Sequence, residues 1–177
     1  MTNSHSERRI ELASPNPDWK EHFEEEAGKL EEIFTNLIAI HHVGSTAIRN
    51  IKAKPVIDIL PVIEDLSAVA GFVKELDKLG YKYRGEYGLP GREYFEKGDL
   101  THTHHLHVFE EGDREIDRHL LFRDYLNAHP KEAKTYSALK ESLAAKYRTD
   151  PEGYTEAKSD FISEIDRKAK DWERGSV

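Results

Sequence analysis

Cysteine is absent from all 177 residues. That excludes a disulfide framework, a thiolate metal site and a cysteine nucleophile. Long hydrophobic runs are also missing. The most apolar stretch, Pro55–Ile63, is short, carries an aspartate and falls well below the roughly 18 residues of a membrane span. Met1–Arg9 is polar and lacks the apolar core of a signal segment. Cytoplasm is therefore the expected location, with no membrane partner. Positive charge is in deficit, with 26 Lys and Arg against 34 Asp and Glu and a net charge of −8. This disfavours non-specific binding to nucleic acid.

What remains is the composition of one folded domain: 37% hydrophobic, 34% charged, and long enough for a single core. Met1–Arg9 reads as an arm, 10–172 as the domain and 173–177 as a tail. Ile10–Ala13 reads as a short strand, and Ser14-Pro15-Asn16-Pro17 as a break. Trp19, Phe23, Ala27, Leu30 and Phe34 recur at helical spacing, which predicts a helix from Asp18 to about Phe34. Strands are expected at Leu37–Val43, Pro55–Ile63, Tyr81–Arg84, Arg92–Glu96 and Thr103–Phe109. A helix is expected over Leu66–Leu79, stopped by Gly80. From Asp113 onward the pattern is helical, with breaks at Ala128-His129-Pro130 and Thr149-Asp150-Pro151, giving about three helices. The fold class is α+β: a small mixed sheet flanked by helices, with a C-terminal helical segment.

Two features carry chemistry. The first is a glycine-serine turn, Gly44-Ser45-Thr46, leaving one strand shortly before another strand that holds Asp58. Glycine permits a tight turn and close approach of a ligand. Serine adds a hydroxyl and an amide, which suit phosphate at a helix start. Asp58 lies within Val56-Ile57-Asp58-Ile59-Leu60, where a carboxylate is costly unless it is paired or bound to a cation. The second feature is the histidine strand, since four histidines fall within Thr101–His107. By the two-residue period, His105 and His107 share a face opposite Leu106 and Val108. Two imidazoles so spaced suit a transition metal or a phosphate. His102 and His104 read as incidental. Lys54, Arg92, Arg123, Lys140 and Lys158 are candidate phosphate contacts. The Tyr136, Leu139, Leu143, Tyr147 stripe reads as core.

The ordered motifs His42-Val43-Gly44-Ser45-Thr46-Ala47-Ile48, Ala53-Lys54-Pro55-Val56-Ile57-Asp58-Ile59, Gly91-Arg92-Glu93-Tyr94-Phe95 and His105-Leu106-His107-Val108 resemble the GrpB family. Tyr136–Lys140, Tyr154–Lys158 and Phe161-Ile162 continue the likeness, which covers nearly the whole chain. That family looks like a branch of the nucleotidyltransferase superfamily. In some of its relatives the module is fused to dephospho-coenzyme A kinase. The resemblance implies a nucleotidyltransferase-like mixed sheet, with a Gly-Ser turn facing a triphosphate and strand carboxylates holding a divalent metal. Carried onto this chain, it implies Asp58 as the catalytic residue. Gly44, Ser45, Thr46, Lys54, Arg92 and Lys158 would be phosphate or ligand contacts, and Asp58, His105 and His107 metal ligands. The cofactor would be zinc, manganese or magnesium, and the partner a nucleotide or other phosphorylated small molecule. One position departs from the pattern. Nucleotidyl transfer uses two carboxylates two residues apart on one strand, and residue 60 is Leu60. Glu64 is six residues on, roughly 20 Å along a strand. Two readings follow: a metal-dependent phosphoryl or nucleotidyl transferase or hydrolase, and a non-catalytic binding module of the same fold linked to coenzyme A metabolism.

Overall fold

Pro17, with φ fixed near −62°, caps a helix whose first turn holds Asp18 and Glu21. Acidic groups there match the helix dipole. This helix, α1 (Asp18–Ile33), buries Trp19, Ala27 and Leu30. The computed structural model describes residues 9–175. The expected arm lies, apart from Arg9, outside the described residues. Strands β1 (Leu37–Val43), β2 (Ile57–Ile63), β3 (Tyr81–Tyr83), β4 (Arg92–Lys97) and β5 (His104–Glu110) fall within a residue or two of the expected spans. The expected Ile10–Ala13 strand is reduced to one bridge, Ala13 to Ala53.

The strands form one mixed sheet in the order β1-β2-β5-β4-β3. Only β2 and β5, at the centre, run parallel. Ile57, Ile59, Phe95, Leu106 and Val108 line one face and pack with Trp19, Leu30 and Phe34. The expected helix over Leu66–Leu79 is divided: a 3-10 segment (Leu66–Gly71) precedes α2 (Val73–Lys78). Asp65 caps the first piece by accepting from the Ser67 amide. Gly71, a poor helix former, marks its end. Gly80, at φ +96°, ends the unit as expected.

Four helices, rather than three, follow: α3 (Arg114–Ala128), α4 (Pro130–Lys146), α5 (Pro151–Ala157) and α6 (Ser159–Gly175). The added break, at Lys158, involves neither proline nor glycine: the residue keeps helical φ and ψ. α6 runs through the first part of the expected tail. These helices do more than cover the sheet. Ile48 and Ile51, just past the Gly44 turn, pack among Tyr125, Leu126, Ala133, Tyr136 and Ile165. Asn127 accepts from the Arg49 amide and donates to the Ala47 carbonyl, and Ser137 accepts from the Lys52 amide. Segment 45–54 is thereby clamped between sheet and helices.

Leu60 shows why position 60 holds no acid. It is fully buried with Val43, Val62, Phe109 and Ile116, beneath α3. Leu60→Asp should lower stability by roughly 3 kcal/mol or more, because the carboxylate would be buried without a partner. Urea unfolding measures this. A variant of unchanged stability that gained magnesium affinity would show that position 60 opens onto the site after all.

Candidate functional site

β1 ends at Gly44, whose φ of +74° favours glycine. The turn lies directly on Asp58: a Cβ at position 44 would stand 2.5 Å from Asp58 Oδ2 and 3.0 Å from its Cβ. Ser45–Ala47 is a single 3-10 turn. The expected contribution of a helix dipole at Ser45 is therefore absent, because macrodipoles need a longer helix. Thr46 is buried, and its hydroxyl meets His42 Nε2 at 2.8 Å. That His42 ring stacks on Phe23. Burial pushes the His42 pKa down to about 4, so the imidazole is neutral at pH 7.

Asp58 occupies the centre of the sheet's polar face, with His105 beside it across the parallel pair. Its side chain stays 26% exposed. Asp58 Oδ1 lies 2.9 Å from His107 Nε2 and 3.5 Å from His105 Nδ1. Burial raises the carboxyl pKa, but hydrogen bonds from His105 and His107, with their charge, more than offset it and hold it well below the usual carboxylate range. Arg92 lies 3.3 Å from His107 Nδ1, and its other donors reach the carbonyls of Glu86 and Tyr87. A guanidinium only donates, so His107 Nδ1 accepts and Nε2 carries the hydrogen given to Asp58. His107 and Asp58 therefore satisfy each other, and Arg92 acts on the pair through His107. Arg123 is likewise engaged, with the His42 carbonyl and Asp124.

The lysines converge on the other side of Asp58. Lys54 and Lys158 both stand over the Tyr154 ring, at 5.3 and 4.3 Å from its centroid, and Lys140 lies 4.8 Å from that of Tyr136. The Tyr136 hydroxyl lies beside the Ser45 side chain. All three ammonium groups feel the Asp58 charge. Among the described residues, none of the three forms an ion pair, and Lys140 Nζ is buried with no hydrogen-bond partner. Burial, then the neighbouring Lys158 and Lys54, push Lys140 down to about 7. Burial, then Lys54, push Lys158 down to about 8. The result is a cationic cluster short of counter-charge, fully buried at Lys140, half-buried at Lys158 and exposed at Lys54.

On the opposite flank, His102 Nδ1 lies 3.0 Å from His105 Nε2, and its Nε2 is 3.5 Å from Glu96 Oε2. His102, expected to be incidental, thus lies on the polar face against His105 and Glu96. His104 points to the other face, toward Glu26 and Lys97. Gly44, Ser45, Lys54, Asp58, His105, His107 and Lys158 are gathered around one centre, whereas Thr46 and Arg92 spend their polar groups on neighbouring protein atoms. Lys140, one of the candidate phosphate contacts, joins them, as do Glu96 and His102, which were not expected there. For Lys140 a signal existed: it lies in register with the buried Ala133, Tyr136 and Ala144 of α4. Glu96 shares the face of Arg92 and Tyr94 by the two-residue period.

A five-stranded mixed sheet, open at a Gly-Ser turn and closed by a C-terminal helical cluster, defines the architecture. The family model described as GrpB protein matches residues 9–168, and the chain belongs to that family. It is 44% identical over 169 residues to the UPF0157 protein YqkA of Bacillus subtilis, covering 95% of this chain and 49% of that protein. The chain thus spans about half the length of that relative. It superimposes on the crystal structure of conserved protein GrpB from Enterococcus faecalis with a TM-score of 0.87 at 40% identity, covering 92% of this chain and 99% of that one. A dephospho-CoA kinase of Mycolicibacterium paratuberculosis is 25% identical over 189 residues, covering 92% of this chain and 46% of that protein. Among the described residues, no helix is long and apolar enough to cross a membrane.

Gly44→Ala should lose about 1–3 kcal/mol from backbone strain and more from displacing Asp58. Gly28→Ala, at an exposed position of α1 with no atom within 4 Å, should instead gain up to about 1 kcal/mol. Thermal unfolding of the two variants gives the comparison, and equal stabilities would show that the Gly44–Asp58 approach is not constrained.

Proposed function

We propose that the protein binds a nucleotide or another phosphorylated small molecule, with its phosphates on Lys54, Lys140, Lys158 and the Gly44-Ser45 turn. The observation that carries this reading is Lys140, a fully buried ammonium with no hydrogen-bond partner. A buried charge without compensation is expensive. An anion of high charge compensates all three lysines at once, and Ser45 lies beside Tyr136, over whose ring Lys140 stands. The likeness to nucleotidyltransferases makes triphosphates the natural test ligands. The matching segment in a protein named dephospho-CoA kinase adds coenzyme A precursors.

Leu60 favours a second, narrower form of this reading. Without a second strand carboxylate, a two-metal clamp on the reacting phosphate has no frame. Binding, or chemistry that needs one ion at most, fits the residues better than polymerase-like transfer. In this reading Asp58 is the acidic group nearest the bound phosphate, kept ionised by His105 and His107.

Stability and binding should respond to pH with opposite slopes. In the ligand-free protein Lys140 sits at about 7 against an ordinary 10.5. Between these values the unfolded chain holds the extra proton, so folding stability rises with pH across that window. A bound anion raises the lysine pKa values, so binding takes up protons and affinity falls as pH rises through about 7 to 8. Inorganic tripolyphosphate should raise the melting temperature by mass action. Lys140→Met should abolish that rise while increasing the ligand-free melting temperature at pH 7 by about 2–4 °C. An unchanged tripolyphosphate response in Lys140→Met, or no response of the wild type to tripolyphosphate, nucleotides and dephospho-coenzyme A, would overturn the reading.

A further inference from the structure

The metal set that the resemblance implies, Asp58 with His105 and His107, fits an ion poorly. The His107 nitrogen facing Asp58 carries hydrogen, because Arg92 occupies the other nitrogen. A bound ion would need that lone pair, and would turn His107 Nδ1–H against the Arg92 donors. A better donor set lies one step along the same face.

We propose that Glu96, His102 and His105 form a site for a single transition-metal ion of the zinc class, with Asp58 behind it as the carboxylate that orients His105. One ligand atom from each of the three residues lies within 4.8 Å of the others. His102 Nδ1 and His105 Nε2 are 3.0 Å apart. A tetrahedral ion with bonds of about 2.0–2.1 Å requires donor atoms about 3.3 Å apart. The side chains are shielded: Glu96 is 8% exposed and His102 13%. Backbone fixes both ends. β4 and β5 put Glu96 directly opposite His105. The loop between them is pinned by the Thr103 amide on the Lys97 carbonyl and by Gly98 at φ +107°, where a Cβ would collide with the Thr101 carbonyl. That loop carries His102 back over the face.

The surroundings have the form of a second coordination shell. His105 turns Nδ1 toward Asp58 Oδ1 at 3.5 Å, leaving Nε2 for the ion, and Arg84 Nε donates to Glu96 Oε2 at 3.1 Å. Carboxylate–histidine–metal arrangements of this kind fix the ring and its tautomer. Two imidazoles with one carboxylate suit zinc and its neighbours, not magnesium, which takes oxygen ligands. Three protein ligands leave a fourth position open, as in catalytic rather than structural zinc sites.

The test uses the full chain, stripped with EDTA and desalted, then titrated with zinc and with cobalt. The wild type should bind one equivalent, melt at a higher temperature with zinc, and give the visible absorption of four-coordinate cobalt. His102→Ala and Glu96→Gln should each lose that absorption and at least about 100-fold in zinc affinity, and Asp58→Asn about 10–100-fold. His104→Ala, on the other face, should match the wild type, and His107→Ala should retain one bound zinc. Circular dichroism identifies any variant that fails to fold. Should His102→Ala do so, Glu96→Gln and His102→Gln decide the matter. The proposal is overturned if the wild type binds no zinc, or if binding survives in Glu96→Gln and His102 variants but is lost in His107→Ala. The tripolyphosphate response, measured in EDTA, stands apart from either result.

Discussion

The contact between Gly44 and the Asp58 side chain organises the polar half of this protein. No residue with a Cβ fits there, because the Asp58 carboxylate already fills the space a methyl would take. The turn therefore rides on the carboxylate, and the carboxylate is fixed by the turn on one side and two imidazoles on the other. The chain that leaves this turn must cross to the helices, and Ile48 and Ile51 anchor it there among Tyr125, Leu126 and Tyr136. The same docking brings Tyr136 against Ser45 and sets Lys140, one helical turn further along α4, in the pocket. Packing of apolar side chains is thus what aims the cations.

That placement works against stability. Lys54, Lys140 and Lys158 repel one another, and burial deprives Lys140 of the hydration that a lone ammonium would enjoy. The surrounding core can sustain it: Tyr154 is 1% exposed, Tyr136 3% and Ile165 1%. The tyrosine rings beneath the ammonium groups give partial compensation through their π faces. Under the proposed reading, this cost sits where the charge of a bound anion would relieve it.

The strands were legible because their signal is local. Alternation in His104–Glu110 separates His105 and His107 from Leu106 and Val108 without knowledge of the fold. Asp58 stood out by its apolar neighbours, since a charged residue in so apolar a run requires a reason. The lysine pocket was only half legible. Lys54 lies before β2 and Lys158 between α5 and α6, and nothing local says that both meet the ring of Tyr154. Lys140 was harder still: a lysine on a helix is ordinarily solvated, and its burial depends on how α4 docks against segment 45–54. His102 was hidden by a loop, where no period applies, and the turn at Gly98 that folds it back is a tertiary fact. The divided helix at Leu66–Lys78 shows the converse, an apolar pattern that propensity at Gly71 overrode.

Asp58 is where the two flanks of the face meet. On one side its charge draws on Lys54, Lys140 and Lys158, and on the other it accepts from His105 and His107. Its low pKa keeps it ionised at neutral pH, so both flanks feel a full negative charge. An anion seated on the lysines would take over part of their attraction to Asp58 and leave more of its field for the histidines. Positive charge gathered at His105 would act in the reverse direction, by the reciprocity that any coupling between two sites obeys. Arg92 limits how far this adjustment extends along the sheet, since its donors are held by the Glu86 and Tyr87 carbonyls and keep the His107 tautomer fixed. His105 has no such brace on its outer nitrogen, which meets His102 from a loop rather than a strand. The adjustable end of the face is therefore the one at His102 and Glu96, and the rigid end is the one at His107.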